Sequence, residues 1–310
     1  MTKEKSGLSR YILICIGLIL IILITFLYGI FGNKKPEKQM NISVILYSIA
    51  GDEWESFQEG MECAEEDFPV NINTVVLKAD ATGLEQYEAM ERELENGADG
   101  VILAVSDYKT IYPLWLEASF GKPTITVESG FNESTVSFIS ADNYEMGKAL
   151  GEEILKDFSE KENITVALSS EKSTRDSVEL REQGLRDALE GKATIIPLRV
   201  AINGEGADVA VGLNKESLLD LAKRTSPALQ STKIYGIGNT AGIVAALDQG
   251  YIEKIIFQDE FNMGYLAVET LVNTANNQTT KDEKEIEYYC VSKEELYEYP
   301  YEQLLFPIVE

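Results

Sequence analysis

Histidine is absent from the whole chain. Its absence excludes Ser-His-Asp and Cys-His nucleophilic catalysis, histidine general bases and histidine-ligated zinc together. Cysteine is scarce: three residues, of which only Cys63 and Cys290 follow the N-terminal apolar run. One possible pair is too few for a disulfide scaffold, and both read as small buried side chains. No Gly-x-Gly-x-x-Gly follows the first predicted strand and no Walker loop occurs, so nucleotide sites are disfavoured. Gly236-Ile237-Gly238-Asn239 follows a strand but lacks the third glycine. Positive charge is also sparse. Of 52 acidic and 27 basic residues, two and six lie in residues 1–38, leaving 50 against 21 beyond. Such a surface repels phosphates, so no nucleic-acid partner is expected, and it also serves plain solubility. No metal or cofactor is expected. Acidic pairs are too abundant for any one of them to mark a carboxylate hydrolase.

Long apolar runs are missing everywhere except at the start. Tyr11–Phe31 carries no charge and matches the ~20 residues that cross ~30 Å of hydrocarbon. Residues 1–10 carry Lys3, Lys5 and Arg10 against Glu4, which predicts a cytoplasmic N-terminus, although Lys34, Lys35 and Lys38 weaken the bias. A cleavable signal is the competing reading. No small-x-small site follows the run, which favours an uncleaved anchor at 11–31 and a polar tether at 32–40. The remainder is then extracytoplasmic, on a single-pass protein of the cell membrane.

From Asn41 onward, strand and helix patterns alternate with short links. Strands are predicted at Ile42–Tyr47, Asn71–Leu77, Gly100–Val105, Thr124–Glu128 and Ser137–Ser140, with helices between the first four. The helix Leu84–Asn96 places Leu84, Tyr87, Met90 and Leu94 on one face. A second series follows, with strands at Ile164–Ser169, Thr194–Leu198, Val209–Gly212, Ile234–Ile237 and Ile255–Gln258. Helix Met263–Ala275 and strand Ile286–Val291 close the pattern. Such alternation predicts an α/β protein with parallel sheets, whose ligands bind beyond the carboxyl ends of the strands. Between Leu198 and Val209 only Arg199–Asp208 remains, short for a crossover that normally takes a dozen or more residues.

Val136–Leu155 (VSFISADNYEMGKALGEEIL) joins the two series. A short strand meets Ala141-Asp142-Asn143, where Asp142 or Asn143 fits a helix N-cap, and an amphipathic helix follows. In this position the segment resembles the interdomain crossing of type I periplasmic (solute) binding proteins, the ribose- and galactose-binding class. The resemblance covers about Asn41–Val291. It implies two Rossmann-like lobes, 41–142 plus 260–288 and 143–259 plus 289–310, joined by a three-crossing hinge near Asn143, Asp259 and Tyr289.

Site residues follow from the resemblance one position at a time. Trp54, opening the first helix, falls where family members stack an aromatic on a sugar ring; otherwise it packs the helix against the sheet. Trp115 reads as core. Glu128-Ser129 matches a family Asp-Arg pair, with the acid kept in kind and the arginine lost. Asp107 matches a polar loop position, or else caps the next helix. Arg181, in STRDSVELREQG, aligns with a ligand-binding arginine; the alternative is a solvated residue paired with Glu182 or Asp176. Asn214 and Gln258 match a family asparagine and glutamine. Asn239 stands one residue beyond the usual aspartate, where Gly238 is found. The implied function is binding without chemistry: capture of a small polar ligand, a sugar foremost, for an ABC-type importer. Other readings are a ligand-sensing partner of a membrane sensor kinase, a surface carboxylate hydrolase, and a degenerate module without ligand.

Overall fold

The computed structural model describes residues 16–23, 25, 39–47, 53–78, 81–118, 120–131, 136–169, 173–223, 229–277 and 284–306. The chain divides into two compact units, Met1–Gln39 and Met40–Glu310. In the first unit, α1 (residues 16–23) is apolar and largely exposed. The anchor predicted over Tyr11–Phe31 falls mostly outside the described residues. Among those that are described, no helix is long and apolar enough to cross a membrane.

In the second unit, one lobe alternates β1 (Met40–Tyr47), α2 (Glu55–Asp67), β2 (Val70–Leu77), α3 (Gly83–Glu95), β3 (Gly100–Leu103), α4 (Tyr108–Ala118), β4 (Thr124–Val127) and β5 (Ser137–Ser140). The other lobe runs through α5 (Asn143–Asp157), β6 (Ile164–Leu168), α6 (Asp176–Leu189), β7 (Ala193–Pro197), α7 (Leu198–Val200), β8 (Val209–Gly212), α8 (Lys215–Lys223), β9 (Lys233–Ile237), α9 (Ala241–Asp248) and β10 (Lys254–Gln258). The chain returns to the first lobe for α10 (Glu260–Ala275) and β11 (Lys284–Glu285). It ends in the second with β12 (Tyr288–Ser292) and α11 (Tyr301–Leu305).

The two sheets have the same plan, β11-β5-β4-β3-β1-β2 and β12-β10-β9-β8-β6-β7. All pairings between named strands are parallel except β10 with β12, an antiparallel edge. β3, β4 and β8 are buried along their full length, as expected of parallel strands covered on both faces. Caps fix the helix starts. Thr82 and Glu85 form a reciprocal capping box on α3, and Asp142, not Asn143, caps α5 by accepting from Glu145 N at 3.0 Å.

Glycine sets the helix packing in both lobes. A Cβ on Gly60 would lie 1.9 Å from Phe261 O, and one on Gly264 would lie 2.1 Å from Phe57 O. In the second lobe a Cβ on Gly147 would meet Arg181 O at 2.0 Å, and one on Gly184 would meet Tyr144 O at the same distance. Thus α2 meets α10, and α5 meets α6, backbone against backbone at a reciprocal glycine pair. Only a residue without a side chain permits that approach.

Several expectations are corrected. The short Arg199–Asp208 connection does carry helix: α7 continues into a π-helical turn, Ala201–Glu205. Leu198 and Ala201 bury against Ala167, Ala210 and Leu221, which is enough to carry β7 across β6 to β8. The predicted strand Ile286–Val291 overlaps β12 alone (Tyr288–Ser292); β11 (Lys284–Glu285) precedes it in the other sheet, and the chain changes sheet between them. The third crossing is therefore Ile286-Glu287; Tyr289 sits inside β12 opposite Phe257. Cys63 is exposed rather than buried, on the solvent face of α2. Leu84 is half-exposed, since α3 turns Gln86, Ala89 and Met90 inward instead.

Candidate functional site between the two lobes

Each sheet reverses its strand order beside its first strand, which places a switch point between β1 and β3 and another between β6 and β8. The loops beyond these carboxyl ends meet at one cleft. Tyr47, Glu53, Trp54 and Glu128 line it from the first lobe, with Glu260 at the start of α10. Arg175, Arg181, Asn214, Lys215, Asn239 and Gln258 line it from the second.

Glu128 is the centre of the arrangement. It follows β4 with a left-handed backbone, φ 59°, a conformation that costs a non-glycine residue about 1–3 kcal/mol. Local bonds hold it there: Ser140 Oγ and Asn143 Nδ2 each donate to its carbonyl at 3.2 Å. Its carboxylate receives Arg181 Nη2 at 3.1 Å and the Tyr47 hydroxyl. Burial alone would raise its pKa, but Arg181, Arg175 and the tyrosine bond together hold it below the usual carboxylate range. Arg181 is buried; its Nε donates to Asn143 Oδ1 at 2.7 Å and its Nη1 to Leu213 O at 3.3 Å. Asn143 therefore does more than mark a crossing: it fixes the acid of one lobe and the arginine of the other.

Around this pair, the Arg175 guanidinium lies 4.7 Å from the centre of the Tyr47 ring, a cation–π contact between lobes. Burial and Glu128 raise the Tyr47 hydroxyl well above its ordinary pKa, so it donates and stays neutral. Lys215 binds Glu260 at 2.7 Å and Glu53 O. Burial outweighs that lysine and leaves the Glu260 pKa raised. Beside the cleft, Asp176 accepts from Ser129 Oγ at 2.5 Å and Gly130 N at 3.0 Å. The space left between these groups is about 20 Å³, room for about one water molecule.

Of the predicted site residues, Trp54, Glu128, Arg181, Asn214, Asn239 and Gln258 share this cleft. Asp107 does not. Its carboxylate takes Thr110 N at 3.2 Å and Thr110 Oγ1 at 2.7 Å, the capping alternative. Trp54 does both jobs considered for it: it lines the cleft, yet it is buried, donates to Tyr47 O at 2.6 Å and packs edge-on against Tyr47 and Phe57. Asn214 also caps α8 through Ser217 N at 2.8 Å. Trp115 belongs to an apolar cluster with Tyr112 and Phe131.

Tyr47, Glu53, Arg175, Lys215 and Glu260 escaped the sequence reading. Four of them had a local signal. Tyr47 ends the first strand, Glu53 and Lys215 adjoin residues already chosen, and Glu260 follows the second crossing. Arg175 stands in the stretch quoted for Arg181, but only folding across the cleft brings it over Tyr47.

The three crossings are laced together. Gln258 Oε1 accepts from Ala141 N at 3.1 Å, Asp259 N donates to Glu287 O at 3.0 Å, and Ile286 N donates to Ser140 O at 3.1 Å.

Comparison with known proteins agrees with this architecture. No curated protein sequence matches the chain significantly. Among solved structures, a glucose-galactose binding protein from Geobacillus stearothermophilus is 17% identical, with a TM-score of 0.74 over 84% of this chain and 99% of its own. A solute-binding protein of an ABC transporter from Agrobacterium vitis, with bound D-fucose, is 17% identical at 0.77 over 86% of this chain and 100% of its own. A carbohydrate transporter solute-binding protein from Agrobacterium radiobacter, in complex with D-arabinose, is 16% identical at 0.77 over 86% and 99%. The model of the periplasmic binding protein domain matches residues 42–216, more than half of the chain. By that match, on a fold of two sheets closing over one polar cleft, the chain belongs to the periplasmic binding protein domain family.

Proposed function

We propose that this protein is an extracytoplasmic substrate-binding protein that captures a small, neutral, polar ligand, a sugar foremost, for an ABC-type importer. One observation carries the reading. Among the described residues lining the cleft, three carboxylates (Glu53, Glu128, Glu260) face three cations (Arg175, Arg181, Lys215), with Asn214, Asn239 and Gln258 between them. A charge-balanced wall of fixed donors and acceptors suits hydroxyl groups, which both give and take hydrogen bonds. Trp54 and Tyr47 supply apolar faces for ring C–H groups. The bound sugars of the structural neighbours support the same class. Because the closed cleft leaves so little space, a pyranose enters only as the lobes part and the Arg181–Glu128 pair rearranges around it. Ligand contacts from both lobes then favour reclosure.

A thermal-shift screen of the full-length protein against neutral monosaccharides, oligosaccharides and nucleosides tests the reading. A ligand at 100 times its Kd adds about 2.7 kcal/mol of stability. Arg181→Met and Asn239→Ala should each remove the shift. A folded protein that no member of the panel stabilises would show instead a module without such a ligand.

The proposal includes the N-terminal anchor at Tyr11–Phe31, which keeps the lobes beside their membrane partner. Alkaline extraction of membranes should leave the full chain in the pellet and release a variant lacking residues 1–38. Recovery of the full chain in the wash would remove the anchor from the proposal. Whether a permease or a sensor kinase co-purifies with the pelleted protein decides between import and signalling.

A further inference from the structure

Behind the hinge lies a second cavity, of about 960 Å³, within the range of small-molecule sites. It is formed where the start of α10 and the second crossing meet the C-terminal segment Tyr297–Phe306. Its walls include four aromatic rings, Phe257, Phe261, Tyr297 and Phe306. Phe257 is buried, whereas the other three are 40–61% exposed, which is unusual for large apolar side chains gathered at one place. Tyr297 and Phe306 are stacked in parallel, with centroids 5.7 Å apart.

The charged lining is of one sign. Glu59, Asp259, Glu260 and Glu302 contribute to it, and no lysine or arginine does among the described residues. Two of the four carboxylates are already engaged: Asp259 caps α10 by accepting from Asn262 N at 3.0 Å, and Glu260 binds Lys215. That cap meets the positive end of the α10 dipole. Glu59 and Glu302 have no cation partner among the described residues. Burial and the like charges of Glu55 and Glu62 raise the Glu59 pKa, so its close neighbours are carboxylates rather than cations. Aromatic faces and carboxylates together attract one kind of ligand, because ring quadrupoles and anions both favour a positive charge and the rings also take up apolar surface.

We propose that this second cavity binds an organic cation, an ammonium group on an apolar body. Phe261, Tyr297 and Phe306 hold it by cation–π and apolar contact, and Glu59 and Glu302 by charge. The cavity shares Asn239, Phe257, Gln258 and Glu260 with the interlobe cleft, but the groups that hold the cation line this cavity alone, so the proposal does not depend on the ligand of the cleft.

Calorimetric titration of the full-length protein with benzyltrimethylammonium chloride tests it, with benzyl alcohol as the uncharged counterpart. The expected result is saturable binding of the cation, weakened about tenfold by Phe261→Ala and about threefold by Glu302→Gln. Benzyl alcohol should bind at least about tenfold more weakly. Phe261 and Glu302 are both exposed, and unchanged melting curves would confirm that neither substitution acts through folding. Should Phe261→Ala melt early, Glu302→Gln and Glu59→Gln decide the matter. Absence of saturable heat, equal binding of the alcohol, or an isotherm that none of the substitutions alters would overturn the proposal.

Discussion

Asp176 spans the two lobes with its single carboxylate, taking the hydroxyl of Ser129 and the amide of Gly130. Burial raises its pKa, those two bonds pull it down, and the nearby Glu128 raises it again, so it ends above the usual aspartate value. A carboxyl whose folded pKa is raised penalises folding once the pH exceeds its unfolded value, about 3.9, and the penalty disappears below that value. Asp176→Asn keeps an acceptor for both donors and removes the charge. The variant should therefore equal or exceed the parent in urea midpoint at neutral pH, and the advantage should vanish near pH 4. A neutral-pH midpoint well below the parent would show that the hydrogen bonds to the charged form outweigh its desolvation. Glu128 has the opposite sign. Its depressed pKa means that its contribution is present above the unfolded value, about 4.3, and is lost as the pH falls through the folded one.

Helix placement brings the site into register. Arg181 reaches Glu128 because α6 lies against α5 at the Gly147–Gly184 contact, and the carbonyl that a Gly147 Cβ would strike belongs to Arg181 itself. An added methyl must push α6 away, and with it the guanidinium. Overpacking of this kind costs about 1–3 kcal/mol, and more where backbone is the obstacle. Gly147→Ala is thus expected to lower stability by about 3 kcal/mol and also to weaken ligand binding. Gly264→Ala, at the α2–α10 contact of the other lobe, which does not carry Arg181, should produce the loss of stability with a smaller effect on affinity. Denaturation and calorimetry on the pair separate these outcomes. Equal losses of affinity would refute the link between helix spacing and the arginine.

Across the whole molecule, closure rests on contacts at two depths. The buried set comprises Glu128–Arg181, Ser129–Asp176 and Arg175 over Tyr47. The outer set is at the rim, where Glu179 of the second lobe takes Lys109 Nζ at 2.9 Å and the Tyr108 hydroxyl at 3.2 Å, while Thr174 Oγ1 donates to Ser106 O at 2.7 Å. Exposed ion pairs contribute about 0–1 kcal/mol. Glu179→Ala should then raise the mean radius of gyration in small-angle scattering without altering the melting temperature, and weaken ligand binding by about fivefold at most. Unchanged scattering would mean that the buried contacts alone set the closure equilibrium.

The strand–helix alternation is written in the sequence, because apolar periodicity and capping residues act locally. It pointed to an α/β fold with parallel sheets and to most of the strands. Glu128, Asn214, Asn239 and Gln258 end a strand or follow one within two residues, so the register of the pattern already brought them to one end of each sheet. What the sequence could not determine depends on contacts distant along the chain. Strand β12 turns antiparallel and Tyr289 leaves the hinge because Phe257 is its partner across the sheet. The Leu198–Glu205 connection became helical because buried neighbours stabilise a helix too short to persist alone. Arg181 proved a buried partner of Glu128 rather than a solvated residue, and Arg175 joined the cleft, only once the second lobe had folded over the first. Ion pairing in a cleft is a property of two surfaces brought together, and no spacing within either surface encodes it.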